Sequence, residues 1–140
     1  MADGSGTRIK GRANYQVADY IFRMNSSSAS SHNLEPHESG RTYLVHSTVA
    51  RTINLPAPKA GVTYRFIVTD STAASTINAE STQLYGVFTD DNDSTNMAGS
   101  TTVTIGTSAA AGDWLEFISD GSYWFVKGQC QHASAGFTVS

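Results

Sequence analysis

Cysteine is almost missing from this chain, and charge is scarce. Cys130 is the only cysteine in 140 residues, so no disulfide can close within one chain and stability must come from packing or assembly. No nucleophile signature surrounds it, and a lone thiol of this kind reads as a buried structural residue. Charged residues make up 15% of the chain, against roughly 25% in ordinary soluble domains. No apolar run approaches the ~20 residues of a membrane helix, so the sequence predicts no membrane partner. The opening MADGSGTRIKGR has no apolar h-region, which predicts synthesis in a cytosol without a secretory signal peptide. There is no G-x-S-x-G elbow, no P-loop and no dinucleotide fingerprint, and no ten-residue segment carries a helical period.

Hydroxyls fill the space left by charge. The chain has 18 Ser and 16 Thr, about a quarter of all residues. Thr suits strands and Ser suits turns. Net charge is −3, so bulk attraction to nucleic acid is not expected. The charge is unevenly spread. Arg8, Lys10, Arg12 and Arg23 outnumber Asp3 and Asp19 near the start, whereas residues 70 to 120 hold eight acids and no Lys or Arg. Residues 1 to 14 read as an extended basic arm, too small and polar to order itself, that docks on an acidic neighbour or stays a solvated tail. Arg8, Lys10 and Arg12 are spaced by two and project to one side of an extended arm, with Ile9 and Tyr15 as apolar anchors.

Beyond the arm the pattern is that of short strands. Residues 14 to 24 have an imperfect strand rhythm with a bulge expected near Ala18-Asp19, and 26 to 32 read as a polar link. Strands are expected over 41–46, 51–55, 62–70, 75–80, 83–88, 101–107 and 136–140, with a loop over 90–100. Pro56 and Pro58 stop the second of these, because proline denies the ladder a donor. Residues 112 to 128, GDWLEFISDGSYWFVKG, read as a hairpin folded over a two-residue turn at Asp120-Gly121. That turn would set Ser119 against Ser122, Phe117 against Trp124 and Leu115 against Val126. The opposite face then carries Trp114, Glu116, Ile118, Tyr123, Phe125 and Lys127. Three readings fit this second apolar face: a two-sided core covered by the N-terminal strand, an oligomer interface with a Glu116/Lys127 rim, and an aromatic platform for sugars.

The remaining constellations carry less chemistry. His32 and His37 are five apart beside Pro36, not the helical i, i+4 spacing of a zinc pair, and His46 and His132 lie far off. Asp90, Asp91 and Asp93 open like a calcium loop, but the sixth and twelfth positions counted from Asp91 are Asn96 and Thr102, where an EF-hand needs Gly and Glu. A solvated acidic loop is the expected state, with a calcium site of another geometry as its alternative. Glu80, Asp113 and Glu116 are candidate catalytic acids that no motif brings together. The sequence therefore predicts no metal, no cofactor and no enzyme.

SGRTYLV, INLPAPKAGVTYRFIV and GDWLEFISDGSYWFVKG, spanning about residues 39 to 128, resemble a module of tailed-bacteriophage virion proteins. In that module an L-P-x-P turn precedes a Y-x-F-x-V strand, and a G-D-W hairpin closed by S-D-G and W-x-V-x-G follows. It occurs in head decoration (cement) proteins and in tail-fibre proteins. Here it is nearly the whole chain, which resembles a decoration protein more than a fibre. The resemblance implies a structural protein on the outer capsid surface of a virion, bound to a phage major capsid protein and often trimeric. Repeated short strands with turn signals argue for an all-β sandwich or barrel, and the chain is expected to be an antiparallel, jelly-roll-like β-sandwich over residues 15–140 with its arm over 1–14. The alternative is a receptor- or glycan-binding module of a phage head or tail fibre.

Overall fold

The computed structural model describes residues 21–24, 31–90, 94–132 and 136–140. Twelve strands run through these residues in chain order: β1 (Ile21–Met24), β2 (Ser31–Asn33), β3 (Arg41–His46), β4 (Arg51–Asn54), β5 (Thr63–Asp70), β6 (Ser75–Asn78), β7 (Leu84–Thr89), β8 (Ser94–Ser100), β9 (Thr102–Ile105), β10 (Trp114–Ser119), β11 (Trp124–Gln129) and β12 (Phe137–Val139). One short 3-10 turn, Pro36–Glu38, precedes β3. The strands form a seven-stranded sheet, β1-β3-β5-β10-β11-β7-β8, and a five-stranded sheet, β12-β9-β6-β4-β2. Their inner faces pack on one another as an all-β sandwich, as the alternation of the sequence predicts.

The pairing is mixed where antiparallel pairing was expected. From β1 to β6 the chain alternates between the sheets, so each sheet gains its next strand after one complete winding. A strand added after a complete winding runs the same way as its neighbour. Hence β1, β3 and β5 are parallel, as are β2, β4 and β6. The winding then reverses: β9 pairs antiparallel with β6, β10 with β5, and β11 closes the hairpin with β10 while running parallel to β7.

Two segments expected to be irregular are strands. Residues 94–100 form β8 on β7, and the polar link ends in β2. STNMAGS has few strand-forming residues, but Met97 is buried and the β7 backbone supplies partners, so context overrides propensity. The arm residues Arg8, Ile9, Lys10, Arg12 and Tyr15, and the bulge expected near Ala18-Asp19, lie outside the described residues.

The core follows period 2. In β5, Tyr64, Phe66 and Val68 are buried while Arg65 points out. Phe66 stacks on Tyr43 at 5.5 Å and meets the edge of Phe117 at 5.6 Å. Trp124, Leu84, Ile53, Ile77 and Ile105 are fully buried. Burying each such side chain contributes about 1.5–3 kcal/mol. Where β7 meets β11, Gly86 sits at φ 137 and a Cβ there would lie 1.9 Å from the Val126 carbonyl oxygen. Only glycine allows that approach.

Candidate functional site

The β10–β11 hairpin directs one set of side chains away from the core. Its register is Ser119↔Trp124, Phe117↔Val126 and Leu115↔Gly128, two residues away from that of a two-residue turn. The cause is Asp120. Its Oδ1 accepts the backbone N–H of both Ser122 and Tyr123 at 2.8 Å, and Ser119 Oγ accepts that of Gly121, so the turn takes in Ser122 and Tyr123. A slip of two leaves every side chain on its expected face, whereas a slip of one would have inverted them. These N–H groups hold the Asp120 carboxyl below its ordinary pKa, Tyr123 first and Ser122 second.

Register across the sheet aligns the outer face in rows. One row is Leu44–Ile67–Trp114–Gln129–Thr89. The next is Thr42–Arg65–Glu116–Lys127–Val87. The third is Thr63–Ile118–Phe125–Tyr85–Ala98. Glu116 is the hinge of the middle row: Oε2 lies 3.1 Å from Arg65 Nη2 and Oε1 3.3 Å from Lys127 Nζ. The Arg65 guanidinium also lies 5.7 Å from the Trp114 ring centre. In and beside the third row, Ile118 is 48% exposed, Tyr123 41% and Phe125 40%. Tyr85 bridges them, 5.2 Å from Tyr123 edge-on and 6.2 Å from Phe125. Ile118, Phe125, Lys127 and Thr63 line a hollow of about 340 Å³ beside Glu116.

The six residues expected on this face are therefore gathered there, with Glu116 and Lys127 paired at its centre instead of on its rim. Sequence reading missed Arg65, Tyr85 and Val87, which join the face from β5 and β7. Their signal was present in the alternation of residues 62–70 and 83–88, but which strands adjoin the hairpin is a matter of topology. The described N-terminal strand does not cover the face: β1 lies in the plane of the sheet beside β3.

The three candidate acids stand apart in the structure, Glu116 on the outer face of the seven-stranded sheet, Asp113 buried before β10 and Glu80 after β6. Glu116 has both oxygens in ion pairs. Asp113 is buried, with Oδ2 accepting the N–H of Ala110 at 2.8 Å and Oδ1 that of Gln131 at 3.1 Å. Glu80 follows β6 in the other sheet, in a left-handed conformation at φ 56. Among the described residues no three His, Cys, Asp or Glu side chains gather as metal ligands. Asp91 and Asp93 lie outside the described residues; Asp90 borders a cleft of about 480 Å³ with Asp113 and Gln131. Cys130 is buried, its thiol directed at the His132 carbonyl oxygen at 3.2 Å, and burial pushes its pKa up to about 11. Among the described residues no helix is long and apolar enough to cross a membrane.

No known protein family matches the chain, and no curated protein or solved structure does so either.

Proposed function

We propose that this chain is a structural virion protein: a homotrimer that coats the outside of a phage capsid, stabilises it by bridging copies of the major capsid protein, and carries no catalytic activity. The observation that supports this most is the outer face of the seven-stranded sheet. A monomer has no use for Ile118, Tyr123, Phe125 and Val87 side by side in water, each 40% exposed or more. Exposed aromatic side chains gathered on one face are the residue type enriched at interface centres. Both Glu116 oxygens are paired, one with Arg65 and one with Lys127, so covering the row strands no unpaired carboxylate. In this reading the face joins subunits, and the basic residues Arg8, Lys10 and Arg12 grip the shell.

The test is sedimentation of the purified full chain at micromolar concentration, with a decoration assay on empty capsids. The wild type should sediment as a trimer. Trp114→Ala or Phe125→Ala should weaken association by about 2 kcal/mol or more, whereas Lys127→Glu should cost ~1 kcal/mol or less because Lys127 is largely exposed. A monomer throughout would refute the assembly, and failure of a trimer to bind capsids would refute the decoration role.

A further inference from the structure

The opposite sheet carries a different surface. Its three parallel strands end on the same residue type: Asn33, Asn54 and Asn78 are in register on β2, β4 and β6. Their side chains form a ladder in which Asn54 Nδ2 donates to Asn33 Oδ1 at 2.7 Å and Asn78 Nδ2 donates to Asn54 Oδ1 at 3.1 Å. Asn78 Oδ1 accepts the backbone N–H of Glu80 at 2.9 Å. Ladder bonding leaves the Asn54 amide one N–H and one carbonyl lone pair, side by side in one plane. The Asn33 amide at the sheet edge retains both N–H groups. The ladder fixes these groups in orientation, so a ligand need not bear the entropy of ordering them.

Immediately beyond the strand ends lies a cleft of about 310 Å³, lined in part by Asn33, Glu35, Asn54, Glu80, Ser81 and Thr82. Pro56 and Ala57 contribute an apolar wall, and no lysine or arginine lines it among the described residues. Glu80, at φ 56, occupies a conformation that non-glycine residues rarely adopt, and such outliers concentrate at binding sites.

We propose that this cleft binds an uncharged glycan. A pyranose has the matching chemistry: a C–H face for Pro56 and Ala57, and adjacent hydroxyls that both donate to and accept from the planar Asn54 amide, with Asn33 as a further donor. Glu35 and Glu80 set the sign of the selectivity, since two acidic residues in the lining, with no basic one beside them among the described residues, disfavour uronates and other acidic sugars. The site is on the sheet opposite the aromatic face and is independent of the oligomer and capsid reading.

The experiment uses the full chain on an array of neutral and acidic glycans, followed by affinity electrophoresis through gels containing a neutral glucan or polygalacturonate. Neutral glycans should bind and polygalacturonate should not. Asn33→Ala and Asn54→Ala should each weaken retention about tenfold, the loss of one well-made hydrogen-bond pair. Asn33 is exposed at a sheet edge, so its truncation tests the site even if Asn54→Ala fails to fold. The double variant Glu35→Gln/Glu80→Gln should admit the uronate polymer. No binding to any neutral glycan, or retention unchanged in Asn33→Ala, would overturn the proposal. So would binding lost in Phe125→Ala and kept in Asn33→Ala, which would move the site to the other sheet.

Discussion

At the scale of single residues, hydrogen bonding and burial set the chemistry. The Asp120 carboxylate organises the hairpin turn through N–H groups of Tyr123 and Ser122, which lower its pKa. A lowered carboxyl pKa means stabilisation that is complete above the ordinary aspartate value of about 3.9 and is lost as pH falls through the lower folded value. Below about pH 4 the amides of Ser122 and Tyr123 should therefore lose protection relative to their intrinsic exchange rates, as measured by hydrogen exchange. Asp120→Ala should produce the same loosening at neutral pH, and Asp120→Asn, which keeps an acceptor, should not. Cys130 works with the opposite sign. Burial lifts its thiol to about 11; between about 8.5, the ordinary value, and that pH the unfolded thiol ionises and the folded one does not, so stability falls as pH rises. Iodoacetamide at pH 8 should leave the folded protein unlabelled and label it in denaturant. Gly86→Ala should cost several kcal/mol, on the order of an overpacked core site, because the new Cβ meets the Val126 carbonyl oxygen in β11. A urea titration would read that loss.

At the scale of elements, period 2 made most of the fold legible. The strands at 41–46, 51–55, 62–70, 75–80 and 83–88 were visible because buried and exposed residues alternate, and Pro56 marks where β4 has ended. The outer face of the hairpin was legible for the same reason, and survived an error of two in register. β8 was not legible, because nothing in residues 94–100 favours a strand until β7 is beside it. Parallel pairing was hidden because direction depends on how the chain winds, which alternation does not encode. The asparagine ladder did have a signal that was missed: SHNLEP, TINLPA and TINAES align on their asparagines. Truncating its middle rung, Asn54→Ala, leaves the Asn33 carbonyl and an Asn78 N–H without their partners. The expected cost is about 1 kcal/mol, read as a lower urea midpoint with an unchanged slope.

At the scale of the whole molecule, two sheet faces of opposite character point outward, one aromatic and one hydroxyl- and amide-bearing. On the proposed reading, deleting residues 2 to 13 should leave the oligomer folded and weaken capsid decoration, because Arg8, Lys10 and Arg12 go with them. Salt should weaken the full chain more than the truncated one, since exposed charge pairs are screened over about 8–10 Å. Equal binding by both forms at low and high salt would show that the arm takes no part.

The winding of β1 to β6 has a consequence for growth. One lap of the chain adds one strand to each sheet, and successive asparagines mark laps of 21 and 24 residues, Asn33 to Asn54 and Asn54 to Asn78. β4 and β6 repeat one pattern, an outward threonine, a buried isoleucine and a terminal asparagine, whereas β2 at the sheet edge keeps the asparagine but has the exposed His32 where the others have isoleucine. A tandem duplication of one lap would therefore meet neighbours it already fits. The body could lengthen by about 4.8 Å, one inter-strand step, without redesign of the hairpin that closes it.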